Sequence, residues 1–366
     1  MNFYIMNKDT PVLEFSCSYR DGVEQVYNQI IIKPDLVPLS IQNGLTLDEW
    51  LDSRLILSHR KHIYDMFKQS GLRSKEDIFK ETKGISLNDT YWVRQVDSKL
   101  KWVSISPYRN QLNRGVSIYA FDEDKEIECS NITHSPDFAT SGNYPKCWQR
   151  FGNRTYLVKG GTTLGINKGN EPFSEIFADD LLRVLGISHI HYEYIMYRGV
   201  DTTKCANMCN EDIGISPLSY IRPDIKNFVE LLDTYNHCDY LLDMFLFDYL
   251  TLNTDRHFGN ISFFIQNDTQ QILGFTPIYD NNMAFLPYYI PRLDGDIDNY
   301  ISISDGNIVA NDGTSFEDLF KMIDCKRIRE KLSLLRSYTV DFKYKRGDIV
   351  NRVLQRQLSL IPKNVV

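Results

Sequence analysis

Three polar side chains in the second half of the chain are spaced in a way that suits chemistry on phosphate groups. Asp255 follows an apolar run, Asn260 comes five residues later, and Asp280 comes twenty residues after that. The stretch between Asn260 and Asp280 reads as a β-hairpin. In phosphoryl-transfer sites one carboxylate accepts the proton of the attacking hydroxyl, while an Asn and a second Asp hold the magnesium ions that bridge the phosphates. The spacing therefore predicts a phosphoryl-transfer site.

Upstream, predicted secondary structure would bring a lysine and two glutamates toward the same phosphates. Residues 146–159 read as two strands joined by a turn, and Lys159 ends the second strand, after a glycine-containing loop. A helix is predicted over residues 170–185, with Glu171 and Glu175 near its start. A strand lysine at this place would neutralise ATP phosphates, and either glutamate could pair with it.

A second hairpin is predicted from strands at residues 191–198 and 204–209. The resulting order of strand, strand, helix, strand, strand is that of a kinase N-lobe, and beyond about residue 212 the apolar spacing becomes mostly helical. We therefore predict an α+β, bilobal protein-kinase-like fold. It has a small β-rich N-lobe with one helix and a mostly helical C-lobe, and an N-terminal α/β extension precedes them.

These elements imply three domains along the chain. Residues 1–115 form an N-terminal extension that would serve docking or regulation, residues 116–211 form the kinase N-lobe, and residues 212–366 form the C-lobe. The extension contains no catalytic constellation that can be recognised from residue types.

Charge and composition exclude several other classes of protein. The formal net charge is −7, from 48 acidic and 41 basic residues, which argues against DNA or RNA as a direct ligand. The most apolar stretch, residues 241–252, contains Asp243 and Asp248 and is too short to span a bilayer. The N-terminus lacks the pattern of a signal peptide. Seven cysteines without a regular framework favour a reduced, cytoplasmic setting with no membrane association.

The chemistry-bearing motifs resemble those of the HipA-like Ser/Thr protein kinases over roughly residues 130–345. The run around Asp255 is the most specific of them, whereas the glycine loop alone would be a weak signal. The matching motifs are Thr254-Asp255-Arg256-His257 with Asn260, Ile278-Tyr279-Asp280, Asn170-Glu171 with Ala178, Ser141-Gly142 with Lys146, and Leu157-Val158-Lys159.

This resemblance implies an ATP- and Mg²⁺-dependent enzyme that transfers the γ-phosphate to a protein Ser or Thr. It implies Asp255 as the catalytic base, Lys159 as the catalytic lysine that binds ATP, and Asn260 and Asp280 as Mg²⁺ ligands. Arg256 and His257 would shape the catalytic loop. The remaining ATP-binding residues that it implies are Glu171, Ser141, Gly142 and the adenine-binding hinge Met208, Cys209 and Asn210.

One position departs from the family pattern. The family carries a regulatory serine three residues before the loop glycine, and that position is Ala139 here. Thr140 and Ser141 follow it, so autophosphorylation of either one stays an open question. Besides a protein substrate, the resemblance allows an antitoxin or another regulatory protein as a partner, as in a toxin–antitoxin system.

Three other functions remain to be separated from the protein kinase. A small-molecule phosphotransferase could use the same scaffold, and a nucleotide-binding pseudokinase could act as an interaction module. The intact set of Asp255, Asn260, Asp280 and Lys159 argues against the pseudokinase. A metal-dependent nuclease built on Asp255, His257 and Asp280 is disfavoured by the acidic charge and by the lysine-bearing strand.

Overall fold

Internal contacts divide the chain into two units, each assembled from three segments. Unit 1 comprises Met1–Lys159, Ala206–Ile221 and Ser262–Gly274. Unit 2 comprises Gly160–Cys205, Arg222–Ile261 and Phe275–Val366. The computed structural model describes residues 1–20, 23–55, 72, 74–112, 120–121, 134–140, 142, 144–304 and 314–362.

Strands occur in both units and make up the sheets and hairpins. The strands in the described part of the chain are β1 (Asn2–Asn7), β2 (Thr10–Arg20), β3 (Val23–Ile31), β4 (Tyr91–Gln95), β5 (Lys146–Phe151), β6 (Arg154–Lys159), β7 (Tyr192–Tyr197), β8 (Val200–Ala206), β9 (Ile213–Pro217), β10 (Ser262–Gln266) and β11 (Ile272–Phe275).

Helices are concentrated in the second half of the chain. The α-helices in the described ranges are α1 (Leu39–Gln42), α2 (Leu47–Ser53), α3 (Lys75–Thr82), α4 (Trp102–Ile105), α5 (Glu171–Val184), α6 (Leu218–Ile221), α7 (Phe228–Thr234), α8 (Asp239–Thr251), α9 (Pro291–Asp294), α10 (Ile297–Ser304), α11 (Phe316–Lys321), α12 (Cys325–Leu334) and α13 (Gly347–Leu360).

The N-terminal part of unit 1 is an antiparallel sheet in the order β3-β2-β1-β4 with helices packed on it. Alternating apolar residues of the strands point to one face, as period-2 patterning requires. Phe3 and Phe15 stack there with ring centroids 5.6 Å apart. They share a core with Trp50 of α2, a helix that begins with a capping box between Thr46 and Glu49.

Two further strand groups complete unit 1. Strands β5 and β6 form the predicted hairpin across a tight turn that contains Gly152, whose φ of 60° suits glycine. Strands β9, β10 and β11 form a three-stranded sheet, in which β10 and β11 are the hairpin expected between Asn260 and Asp280. The predicted hairpins at residues 146–159 and between Asn260 and Asp280 are therefore confirmed.

The central helix of unit 2 is α8, which follows from an almost uninterrupted apolar sequence. Its residues are buried on every side, as expected for a helix that is apolar all round. Leu252 ends the helix in a left-handed conformation with φ 52°. Phe228 of α7 packs on Phe245 of α8 with ring centroids 5.0 Å apart. The chain that leaves α8 then leads directly to Asp255.

Helix α5, also in unit 2, was predicted from its start and stop signals. Pro172 lies in its first turn, where a missing N–H costs nothing, and Gly186 follows its end with φ 63°. The helix buries most of its residues, including three acidic ones. The prediction over residues 170–185 is confirmed to within one residue at each end.

The hairpin predicted from strands at residues 191–198 and 204–209 is present, but its turn is shorter and its second strand begins earlier than predicted. Strand β8 begins at Val200, directly across from Tyr197, and not at residue 204. Only Arg198 and Gly199 form the turn, and both have positive φ, at 49° and 78°. Two residues of positive φ match the twist of paired strands, so pairing extends right to the turn.

The structure confirms the predicted mixture of helices and antiparallel sheets. The strand pairs β1–β2, β1–β4, β2–β3, β5–β6, β7–β8 and β9–β10 are all antiparallel. Within those same ranges no helix combines the length and the apolar character needed to cross a membrane. The bilobal arrangement and the division at residues 115 and 211 stay predictions.

Asp179 of α5 fixes the entry to β7 through three contacts. It accepts a hydrogen bond from the Tyr192 backbone N–H at 2.9 Å, lies 2.8 Å from His191 Nδ1, and lies 3.3 Å from His189 Nε2. His189 Nδ1 also lies 2.7 Å from the Ile187 carbonyl. Both ring nitrogens of His189 thus face acceptors, which favours the doubly protonated imidazolium.

The pH dependence of stability should report this contact. Burial lowers the pKa of His189, and so does the positive charge of Arg183. The hydrogen bond to Asp179 and the charge of that carboxylate outweigh both, so the pKa of His189 is raised above 6.5. Its stabilisation is therefore full below about pH 6.5 and is lost as the pH rises through the folded-state pKa. We expect His189→Gln to lower the free energy of unfolding more at about pH 5.5 than at about pH 8.5, measured by urea unfolding. A pH-independent loss, or an equal pattern in the exposed control His237→Gln, would contradict this.

Candidate active site

A buried ion pair organises the segment around Asp255. Arg256 and Asp248 each expose 1% of their side chains. Arg256 Nε donates to Asp248 Oδ2 at 2.9 Å and Nη2 donates to Asp248 Oδ1 at 3.0 Å, a two-point contact. Burial alone would lower the pKa of Arg256, but the Asp248 carboxylate outweighs burial and the pKa is raised. The residue next to Asp255 is thereby anchored to helix α8 in its charged form.

The same guanidinium also holds the residues on both sides of Asp280. Arg256 Nη1 donates to the Tyr279 carbonyl at 3.1 Å. Its Nη2 donates to Asn281 Oδ1 at 2.7 Å. Because Arg256 follows Asp255, these bonds bring the two acidic segments into one cluster within unit 2.

The loop from Asn253 to Asn260 is closed by its own hydrogen bonds. Asn253 Nδ2 donates to Asp248 Oδ1 at 2.9 Å. The Gly259 N–H donates to His257 Nδ1 at 2.9 Å, so the ring proton of His257 in this arrangement lies on Nε2. A Cβ at position 259 would lie 2.6 Å from His257 Cε1, which explains why a glycine is needed there.

Asn260 and Asp280 are joined through their neighbours. The Tyr279 hydroxyl donates to the Gly259 carbonyl at 3.1 Å, which ties the residue before Asp280 to the residue before Asn260. Asn260 Nδ2 donates to the Asp255 carbonyl at 2.9 Å, which fixes the orientation of its amide group. The backbone of Asp280 is left-handed, with φ 57°.

The donor set at this cluster fits a magnesium ion. A carboxylate from Asp280 and an amide oxygen from Asn260 are hard oxygen ligands, the type that Mg²⁺ prefers. The bond from Asn260 Nδ2 to the Asp255 carbonyl assigns the nitrogen side of the amide and leaves Oδ1 as its oxygen donor. Protein Mg²⁺ sites of this kind use one or two such ligands and complete the shell with phosphates and water.

Helix α5 presents three acidic side chains at intervals of four residues, hence on one face. Both oxygens of Glu171 bind Thr162, one at its N–H at 3.0 Å and the other at its hydroxyl. Glu175 Oε2 accepts a hydrogen bond from the Thr203 hydroxyl at 2.5 Å. The third is Asp179, described above. Glu171 and Glu175 therefore differ as candidate partners of Lys159, because both carboxylate oxygens of Glu171 already bind the loop that precedes α5.

Unit 1 carries the predicted ATP lysine together with Lys146, a residue of the glycine-loop motif to which the sequence assigned no role. Lys159 and Lys146 are directly opposite each other in the β5–β6 hairpin and are 4% and 5% exposed. Two lysines at opposed positions supply positive charge of the kind that phosphate oxygens bind. A turn at residues 151–154 pairs position 146 with position 159, so the place of Lys146 beside Lys159 follows from the predicted hairpin.

The glycine loop precedes this lysine pair. Gly142 has a φ of 95°, and a Cβ there would collide with the Lys146 ammonium, so the glycine lets the backbone approach the charge. Ser141 lies outside the described residues. Thr140 is buried, donates its hydroxyl to the Pro136 carbonyl at 3.2 Å and accepts the Trp148 indole N–H at 2.9 Å. Ala139 is also buried, at the end of a 3₁₀ turn.

The predicted hinge residues lie in a turn between β8 and β9 in unit 1. The Cys209 N–H donates to Asn207 Oδ1 at 3.0 Å, and the Asn210 N–H donates to the Ile213 carbonyl at 2.8 Å. Burial raises the pKa of the Cys209 thiol far above its ordinary value, so it stays neutral. Met208 is half-buried beside them. The amides of Cys209 and Asn210 are thus already used within the turn.

The predicted site residues therefore fall into two groups. Unit 2 brings together Asp255, Arg256, His257, Asn260 and Asp280, and it also carries Glu171 and Glu175. Unit 1 carries Lys159, Gly142, Met208, Cys209 and Asn210.

Removing one partner of the buried ion pair should be costly. We expect Asp248→Ala to lower the free energy of unfolding by about 3–5 kcal/mol, because Arg256 would remain charged in a buried place. The double variant Asp248→Ala with Arg256→Ala should lose less than the sum of the single losses. Urea unfolding measures both, with Arg222→Ala of the exposed Arg222–Asp224 pair as a control that changes little. Strict additivity at Asp248 and Arg256 would contradict this reading.

No protein-family model matches the chain, and no curated protein matches its sequence. A HipA chain of Shewanella oneidensis MR-1, solved as a complex of the toxin–antitoxin proteins HipA and HipB with operator DNA, aligns over 98% of this chain and 96% of its own, with 15% identity and a TM-score of 0.53.

A second solved structure overlaps less of the chain. It is the Helicobacter pylori proinflammatory kinase CtkA, which aligns over 58% of this chain and 90% of its own, with 16% identity and a TM-score of 0.43. At these identities structural likeness speaks to fold, and of these two alignments the one with HipA spans nearly the whole chain. The chain has a HipA-like fold.

Proposed function

We propose that this protein is an ATP- and Mg²⁺-dependent Ser/Thr protein kinase of the HipA-like type. The observation that carries the proposal is the contact of Arg256 with Asp248, Tyr279 and Asn281. It ties the segment that carries the base candidate Asp255 to the segment that carries Asp280, and it thereby supports a shared role for residues whose sequence spacing is typical of phosphoryl transfer. The HipA-like fold supports the same assignment.

In the proposed reaction Asp255 accepts the proton of a substrate Ser or Thr hydroxyl. The substrate oxygen then bonds to the γ-phosphorus as the bond from that phosphorus to the bridging oxygen of ADP breaks. Asn260 and Asp280 would hold Mg²⁺, which would neutralise charge on the phosphates. Arg256 and His257 keep the loop in place. Asp255 is half-buried, so it can face a substrate from solvent.

Lysines and glutamates complete the ATP site in this proposal. Lys159 binds ATP phosphates, and we add Lys146 as a second cation beside the Gly142 loop, with Ser141 in the same loop. We assign Glu175 as the partner of Lys159, because both oxygens of Glu171 bind Thr162. Glu171 then acts on the ATP site indirectly, by ordering the loop that follows Lys159.

The adenine contact is assigned from the hinge residues. The amides of Cys209 and Asn210 have partners within their turn, so we assign the adenine hydrogen bond to the Met208 backbone.

The proposed kinase has two lobes and an N-terminal extension. We assign the N-lobe to residues 116–211 and the C-lobe to residues 212–366. Residues 1–115 would dock a substrate or a regulator.

A regulatory partner is the second part of the proposal. The HipA in the matching structure is bound to HipB and operator DNA. We infer an antitoxin-like protein partner for this chain, with DNA contacted by the partner, because the net charge of −7 disfavours direct binding here. Ala139 replaces the serine of the family switch, and the Thr140 hydroxyl is buried in two hydrogen bonds. Any autophosphorylation would therefore fall first on Ser141.

Loss of the base should stop transfer without stopping nucleotide binding. With labelled ATP and Mg²⁺ we expect wild type to label itself or a protein in a lysate. Asp255→Asn should reduce the rate by about 10²–10⁴-fold, because general base catalysis contributes that much. The ATP-induced rise in melting temperature should persist. The exposed Asp233→Asn serves as control and should match wild type. Equal labelling by wild type and Asp255→Asn would exclude this site, and ATP binding without transfer by wild type would favour a pseudokinase.

Replacing Lys146 should weaken nucleotide binding. In Lys146→Met the affinity for ATP should fall about tenfold, because a charge-assisted contact to phosphate is lost. Calorimetric titration with ATP measures the affinity. Arg154→Met, at the exposed end of the same hairpin, is the matched control. Unchanged ATP affinity in Lys146→Met would contradict the assignment.

A further inference from the structure

Asp280 has a left-handed backbone conformation. Its φ of 57° lies in a region that Asp enters more readily than most non-glycine residues, but which is still less favoured than the right-handed and extended regions. The contact that accompanies this conformation is distant in sequence, since the Asp280 N–H donates to the Tyr192 hydroxyl oxygen at 3.0 Å. The backbone orientation of Asp280 decides where its carboxylate points, so this bond bears on the metal ligand.

Tyr192 is itself fixed from two directions. It is 4% exposed at the start of β7, where it pairs with Cys205 of β8. Its backbone N–H donates to Asp179 Oδ1 at 2.9 Å. Asp179 is one helical turn beyond Glu175 on the same face of α5. A continuous set of bonds therefore runs from α5 through Tyr192 to Asp280, all within unit 2.

We propose that Tyr192 is a positioning residue that holds the Asp280 carboxylate in its metal-binding orientation and links that orientation to helix α5. The inference rests on the proposed function and deepens it. The helix that carries Glu175 also carries Asp179, so a displacement of α5 would alter the lysine partner and the metal ligand together. Tyr192 transmits this through its hydroxyl and acts on the metal site only through Asp280.

The physical consequence of losing the hydroxyl follows directly. In Tyr192→Phe the ring still fills its place, but the Asp280 N–H loses this acceptor in a partly buried setting. The left-handed backbone is then less favoured, and relaxation to a right-handed conformation would swing the carboxylate away. Metal binding should weaken while the core remains packed.

The test is a double-mutant cycle on metal binding. Mn²⁺ serves as the probe for the magnesium site, and its affinity for the protein with ATP is measured by electron paramagnetic resonance. We expect Tyr192→Phe to weaken Mn²⁺ binding about tenfold. The same change in an Asp280→Asn background should have little further effect, because no carboxylate remains to be positioned. Tyr194 lies on the same strand as Tyr192, and its hydroxyl donates to Asp201 of β8 at 2.7 Å. Tyr194→Phe is therefore the matched control and should bind Mn²⁺ as wild type does.

A second readout needs neither metal nor nucleotide. Hydrogen exchange of the peptide that spans residues 278–282 should be faster in Tyr192→Phe than in wild type or Tyr194→Phe, because the Asp280 amide loses its partner. This measurement also separates a local effect from a loss of overall stability. Exchange in another helix such as α8 reports global opening, so faster exchange confined to residues 278–282 shows a local effect.

The outcomes distinguish this inference from the proposed function. If Asp280→Asn loses Mn²⁺ binding but Tyr192→Phe binds and exchanges as wild type does, the inference is wrong and the proposed site stands. Equal, additive losses from Tyr192→Phe in both backgrounds would also overturn it, since they would show a general structural effect. If wild type does not bind Mn²⁺ with ATP at all, the proposed function fails and the inference fails with it.

Discussion

The ion pair between Arg256 and Asp248 is the constraint on which the rest of the site depends. Taking both charges out of water is expensive, and a buried pair is often no more stabilising than apolar residues of the same size. The geometry of the pair is better explained by its role in positioning the two loops than by a gain in the stability of the fold. The five donors of one guanidinium reach a helix, a carbonyl and an amide, and so hold two loops at once. A lysine could not make these contacts because it lacks the planar fork.

Helix α5 has a comparable positioning role within unit 2. Each acid on its inner face has a separate task, because Glu171 binds the preceding loop, Glu175 binds Thr203 of β8, and Asp179 binds the start of β7. Three buried carboxylates on one helix face would repel one another without such partners. Their hydrogen bonds turn a costly arrangement into a rigid attachment of loop, strand and helix. This rigidity is what a site for phosphoryl transfer requires, since its catalysis consists mostly of positioning and charge stabilisation.

Much of this architecture was predictable from local sequence signals. The hairpin at residues 146–159 and helix α5 follow from turn residues, alternation and caps, which act over a few residues. The turn after Tyr197 was misplaced, because Arg198 adopts positive φ, a conformation for which arginine gives no signal. The bond between Tyr192 and Asp280 joins residues 88 apart and has no local signature. Lys146 is an intermediate case, since the register of a correctly predicted hairpin already placed it opposite Lys159.

The most direct test of the central claim is a crystal structure with Mn²⁺ and a non-hydrolysable ATP analogue. The account predicts an anomalous peak for Mn²⁺ between the Asp280 carboxylate and Asn260 Oδ1, with the γ-phosphate facing Asp255. A nucleotide bound elsewhere, or a metal that touches neither Asn260 nor Asp280, would contradict it.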